Sequence, residues 1–193
     1  SGILLGLGSH IIDMARFLLG EITSVSGLVR TWNTSRTNSS GGTETVTADE
    51  GNLALVGFAS GAAGTLESSG VATGHKNQHT WEINGSKGSI CWDLEDPNRL
   101  LVYSEDAPAP DVRGFASVSV TTDEHPLQTT YLPPGHNAGW EYGHVHALHH
   151  FVNCVANDKP VAPYGATFED GSRAQVIMDA VVRSSKTGQR IDL

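Results

Sequence analysis

Apolar and polar positions follow two different periods along the chain. Ile11, Met14, Ala15 and Leu18 recur at the i, i+3, i+4, i+7 spacing of one helical stripe. Ser9 ahead of them is a favourable N-cap and Gly20 behind them a stop, so the pattern predicts a helix over 9–20. Residues 22–33 are rich in β-branched side chains and read as a long strand. Residues 34–46 hold Ser, Thr, Asn and Gly without period and read as a mobile loop. Strands are then expected at 53–58, which is apolar on both faces, at 64–68, and at 80–84, where Trp81 and Ile83 share one face. Asn84-Gly85 marks a turn, Ile90 and Trp92 alternate again, and 100–103 closes the series. A loop at 105–114 and an alternating strand at 115–120 follow. The last third is helical: 140–156, then about 169–187, where Ala174, Ile177, Ala180, Val181 and Ser184 fall on one face and Gly188 stops the run. A short strand at 190–192 ends the pattern. Most links between strands are shorter than the dozen or more residues a parallel crossover needs, so the sheet is mainly antiparallel. The expected fold is α+β, an open antiparallel sheet with helices packed on one face, in one domain over 1–193.

Composition narrows the function classes. At 193 residues the chain can bury an adequate core without disulfides or metals. Its 21 Asp and Glu against 12 Lys and Arg leave a net charge of −9 with no basic stretch, which argues against nucleic acid as a partner. No apolar run approaches the roughly 20 residues of a membrane span. Cys91 and Cys154 form no metal or redox motif, which fits reduced thiols in the cytoplasm. The absence of an initiator Met suggests a piece of a longer protein.

Several motifs carry candidate chemistry. Gly6-Leu7-Gly8 before a helix has the outline of a dinucleotide loop, but Ile11 stands where a third glycine is needed and no acidic residue ends the next strand. His10, read at the start of a helix, is a candidate proton acceptor in the neutral form, or a histidine that fills the turn. Residues 136–150 hold five of the nine histidines, and His146 and His150 share a helical face at metal-binding spacing. No third ligand is evident, so no metal is expected there. Lys76 and Asn77 lie in a loop and matter only if that loop faces a cleft. Asn33-Thr34-Ser35 and Asn38-Ser39-Ser40 match the glycosylation sequon and read as chance in a Ser/Thr-rich loop.

Taken in order, the segments resemble the C-terminal domain of the Gfo/Idh/MocA family, the glucose–fructose oxidoreductase and inositol dehydrogenase group. The likeness rests on Gly8-Ser9-His10-Ile11-Ile12-Asp13, on Leu18-Leu19-Gly20-Glu21, and on Gly61 with Gly64-Thr65-Leu66-Glu67. It continues in Glu82-Ile83-Asn84-Gly85-Ser86-Lys87-Gly88-Ser89, then Gly135-His136 to Gly139-Trp140-Glu141, and Thr167-Phe168-Glu169-Asp170-Gly171. The resemblance implies a second half of a two-domain oxidoreductase that acts on a sugar or polyol hydroxyl. An N-terminal Rossmann domain, absent from this chain, would bind NAD or NADP and carry a lysine in a Glu-Lys-Pro motif. This chain would supply substrate contacts and oligomerisation, and would bind no cofactor and be inactive by itself.

By the same resemblance His10 matches a family histidine, while Gly6 stands where the family has an aspartate four residues earlier. Lys76, Asn77 and His136 fall where loops approach the sugar. The resemblance further implies a homodimer or tetramer formed through the open sheet face. Gly6 also keeps an alternative in view, a non-catalytic ligand-binding or regulatory member of the same fold. A metal-dependent enzyme built on the histidine cluster is a third.

Overall fold

The computed structural model describes residues 2–107, 113–125 and 132–193, so the middle of the expected 105–114 loop lies outside the described residues. The chain divides into two compact units, Ser1–Thr73 with Ala162–Leu193, and Gly74–Val161.

In the first unit, four antiparallel strands form one sheet in the order β10-β1-β4-β5. These are β1 (Ile22–Arg30), β4 (Gly51–Phe58), β5 (Ala63–Ser69) and β10 (Ile191–Asp192). β4 alternates as the pleat requires. Ala54, Val56 and Phe58 point into the core while Leu53 and Leu55 face outward. The pairing of β1 with β4 slips between Ile22 and Ser24, and the extra residue lets both Ile22 and Val25 reach the core. The expected loop at 34–46 contains a small ribbon, β2 (Ser35–Thr37) paired with β3 (Thr43–Thr45). Its turn is built by Asn38, whose side-chain oxygen accepts from the amides of Ser40 and Gly42.

Two helices complete this unit. α3 (Phe168–Thr187) packs along β1 and buries Ala174, Ile177, Ala180, Val181 and Ser184, the expected stripe. A Thr167–Asp170 capping box starts it and Gly188, at φ 68°, ends it. β10 covers only the start of β1, so the amides of Gly27 and Val29 are left to the α3 hydroxyls of Ser184 and Ser185, each at 2.9 Å. Gly27 allows that approach, because a β-carbon there would lie 2.7 Å from the Val181 carbonyl oxygen. Ile22, Val25, Ile177 and Val181 are the fully buried centre of the core. Each such side chain contributes about 1.5–3 kcal/mol by leaving water.

The first helix, α1 (Ser9–Leu19), departs from expectation at its beginning. A π-helical turn over Leu4–Gly8 runs straight into it, and Ser9 has helical dihedrals, so Ser9 is not an N-cap. The buried stripe is Leu4, Gly8 and Ile12, with Ala15 and Leu19 packed beside it, so that of the expected Ile11, Met14, Ala15 and Leu18 only Ala15 joins the core and Ile12 and Leu19 take the places of Ile11 and Leu18. The first turn is satisfied from far along the chain, by Asp49.

The second unit holds a four-stranded antiparallel meander in the order β6-β7-β8-β9. Its strands are β6 (Thr80–Gly85), β7 (Gly88–Asp93), β8 (Arg99–Ser104) and β9 (Ala116–Ser119). Trp81 pairs with Trp92, and their rings stack with centroids 6.0 Å apart. Ile83 pairs with Ile90 on the same face. α2 (Glu141–Ala156) also belongs to this unit and buries Cys154. The α+β class and antiparallel pairing hold, with the strands shared between two four-stranded sheets and a ribbon.

Candidate functional site

His10 stands in α1 and is exposed. Ile12, 3% exposed, faces the core two residues later, which is more than half a helical turn, so His10 points away from the core. Among the described residues its ring has no hydrogen-bond partner. The helix beneath it is fixed at both ends. At its beginning Asp49 Oδ2 accepts from the Leu4 amide at 2.7 Å, and the Asp49 carbonyl accepts from the Ile3 amide at 3.1 Å. Near its end Arg16 donates to Glu21 at 3.2 Å and to Asp170 at 3.2 Å, and Arg173 donates to Glu21 from the other side. Burial raises the Glu21 carboxyl, but the hydrogen bonds and charges of Arg173 and Arg16 outweigh it and hold the carboxyl below its usual range. The Thr167 amide and hydroxyl, with Arg16, lower Asp170 as well.

Gly6 lies four residues before His10 on the helical surface and is also exposed. A β-carbon on Gly6 would meet nothing within 4 Å, so the glycine is not there to avoid a clash. It leaves open space beside the imidazole. Because residues 4–8 are helical, their amides are directed along the helix axis and do not form an open turn. The Gly6-Leu7-Gly8 segment is therefore not a strand–turn–helix cradle for a pyrophosphate, and the described residues do not fit a dinucleotide at this loop.

His10 belongs to the first unit and Lys76, Asn77 and His136 to the second. Lys76 and Asn77 are exposed in the loop ahead of β6. His136 sits in an exposed turn, with its Nδ1 3.1 Å from the Pro133 carbonyl, which makes that nitrogen the donor. His146 and His150, which share metal-binding spacing on α2, have different surroundings. His150 Nε2 lies 2.7 Å from the Val161 carbonyl and donates to it, while its ring lies 3.6 Å from the Cys154 sulfur. Burial, with a smaller push from His149, lowers His146. Among the described residues no three His, Cys, Asp or Glu side chains gather as a metal would require. Asn33, in the first sequon, is exposed and donates its side-chain amide to Glu50 at 3.0 Å.

Two acidic residues without a motif of their own hold backbone in the first unit. Asp49 holds the first turn of the helix that carries His10. Glu50 binds the segment after β1, accepting from the amides of Trp32 and Asn33 and from Arg36. No local signal marks either one, because their partners lie 14 to 46 positions away.

The whole chain, residues 1–193, matches the oxidoreductase family C-terminal alpha/beta domain of the Gfo/Idh/MocA group. The chain belongs to the Gfo/Idh/MocA oxidoreductase family. Levoglucosan dehydrogenase of Pseudarthrobacter phenanthrenivorans is 32% identical over 207 residues, covering 100% of this chain and 52% of that protein. An oxidoreductase domain protein from Kribbella flavida superposes with a TM-score of 0.91 at 36% identity, covering 100% of this chain and 50% of that one. Levoglucosan dehydrogenase in complex with NADH and levoglucosan superposes with a TM-score of 0.91 at 33% identity, again over 100% of this chain and 50% of that one. This Gfo/Idh/MocA chain thus spans about half the length of the relatives it matches. Among its described residues no helix is long and apolar enough to cross a membrane.

Proposed function

We propose that the chain is the substrate-binding and oligomerisation domain of a cytoplasmic NAD(P)-dependent oxidoreductase acting on a sugar or polyol hydroxyl. The observation that carries this reading is the superposition of the whole chain on levoglucosan dehydrogenase with NADH and levoglucosan bound. NAD or NADP would sit on an N-terminal Rossmann domain and supply the hydride chemistry. This chain would supply what surrounds the carbinol. His10, exposed on a helix anchored at both ends, accepts the hydroxyl proton. Lys76, Asn77 and His136, on exposed loops of the second unit, are the candidate sugar contacts that the family resemblance names.

A second reading is favoured by one observation. Gly6 leaves room beside His10 that sterics do not demand, and no carboxylate fills it from that position. A non-catalytic ligand-binding member of the family would show the same feature. The test is nicotinamide reduction by the full-length protein over a panel of sugars, anhydrosugars and polyols with each cofactor. Turnover of at least one compound is expected. No turnover with either cofactor, together with retained sugar binding, would select the second reading.

A further inference from the structure

We propose that Asp49 is the positioning residue for His10, acting through the first turn of the helix that carries it. The inference rests on the reading of His10 as proton acceptor and adds the means by which that imidazole is held in place. A helix leaves its first amides without internal partners. Here one residue takes two of them. The Asp49 carboxylate accepts from Leu4 at 2.7 Å and the Asp49 carbonyl from Ile3 at 3.1 Å. Gly2 lies directly against this clasp. A β-carbon on Gly2 would come 2.6 Å from the Asp49 amide nitrogen and would overlap its carboxylate.

Asp49 is itself a fixed point. The Glu50 amide donates to the Arg30 carbonyl at 2.8 Å, and the Glu50 carbonyl accepts from Gly70 at 2.9 Å, so the backbone here is locked between the ends of β1 and β5. From Leu4 the helical path to His10 is six residues, less than two turns. Ile12, buried just beyond, is the second anchor. The two anchors together set both the rotation of the helix and the reach of the imidazole. The π-helical turn between them is a geometry that an isolated segment does not keep unaided. Without Asp49 the turn frays toward His10, and a displacement of about 1 Å in a reacting group can cost on the order of 10²-fold in rate.

The experiment compares Asp49→Ala, Asp49→Asn, Gly2→Ala and His10→Ala in the full-length protein, by steady-state kinetics and by hydrogen exchange. Asp49→Ala is expected to lower kcat and kcat/KM together by about tenfold or more, with KM little changed, because positioning acts in the transition state. Asp49→Asn keeps an acceptor oxygen and is expected to recover most of the rate. Gly2→Ala, which pushes on the clasp from the other side, should resemble Asp49→Ala. In both damaged variants the amides of residues 3–10 should exchange faster while those of 174–184 in the core stay protected. Unchanged exchange over 3–10 with unchanged kcat in Asp49→Ala, while His10→Ala loses turnover, would overturn the proposal. So would loss of protection throughout α3, which would make Asp49 a residue of the fold at large. If His10→Ala leaves turnover intact, it is the functional reading that fails, and the exchange data still decide whether Asp49 holds the turn.

Discussion

Glu50 is 4% exposed and ionised, with the Trp32 amide at 2.8 Å, the Asn33 amide at 2.7 Å and Arg36 at 2.7 Å. The Asn33 amide, then its side chain, lowers the carboxyl to about 2 from an ordinary value of 4.5, against the opposing effect of burial. A folded value below the unfolded one means that the stabilisation is complete above pH 4.5 and is lost as pH falls through about 2. The segment after β1 is therefore expected to loosen in acid. Exchange at the Trp32 and Asn33 amides, corrected for its intrinsic pH dependence, should accelerate across that window, and Glu50→Gln should remove the pH dependence. Acceleration that only follows global unfolding would contradict this. Residues of this kind are hidden in a sequence. Glu50 and Asp49 sit side by side with no period or motif, and their work becomes visible only when the chain brings Leu4 and Asn33 to them. His10 was legible as a candidate because a histidine beside a glycine pair at a helical pattern is a local feature.

At the scale of elements, legibility follows where the determinants lie. The stripe, capping box and stop glycine of α3 are all local, and the helix begins and ends where they put it, at Phe168 and Thr187. In α1 the local pattern puts the stripe on Ile11 and Leu18 where the core takes Ile12 and Leu19, and the expected Ser9 cap gives way to a π-helical turn whose first amides are held by the remote Asp49. The ribbon at Ser35–Thr37 and Thr43–Thr45 looks like loop in the sequence, because Ser, Thr and Asn carry no hydrophobic alternation and its turn is held by one Asn38 side chain. The seam between α3 and β1 gives a sharp test. Gly27→Ala places a methyl 2.7 Å from the Val181 carbonyl and should destabilise the protein by about 1–3 kcal/mol. Gly64→Ala, in β5 of the same sheet, meets nothing within 4 Å and should be neutral or gain up to about 1 kcal/mol. Denaturant titration distinguishes them. Equal effects at the two glycines would remove the close approach as the reason for Gly27.

For the molecule as a whole, the sheet of the first unit has one face against α3 and another that shows Leu28, Leu53 and Leu55, with Leu28 and Leu53 directly paired. Single exposed leucines are ordinary, but a paired row on a sheet face fits a surface covered by a second copy. Light scattering of the full-length protein at micromolar concentration should give a dimer or tetramer, and Leu55→Lys should shift it toward monomer. A monomeric wild type would contradict that assignment. His10 decides whether this domain takes part in the chemistry. The most direct measurement is kcat/KM for nicotinamide reduction with the best sugar or polyol, wild type against His10→Ala, both in the full-length protein. A positioned acid–base group is worth roughly 10²–10⁴-fold, and a fall of that size is expected for His10→Ala. Robust turnover left unchanged by His10→Ala would contradict it.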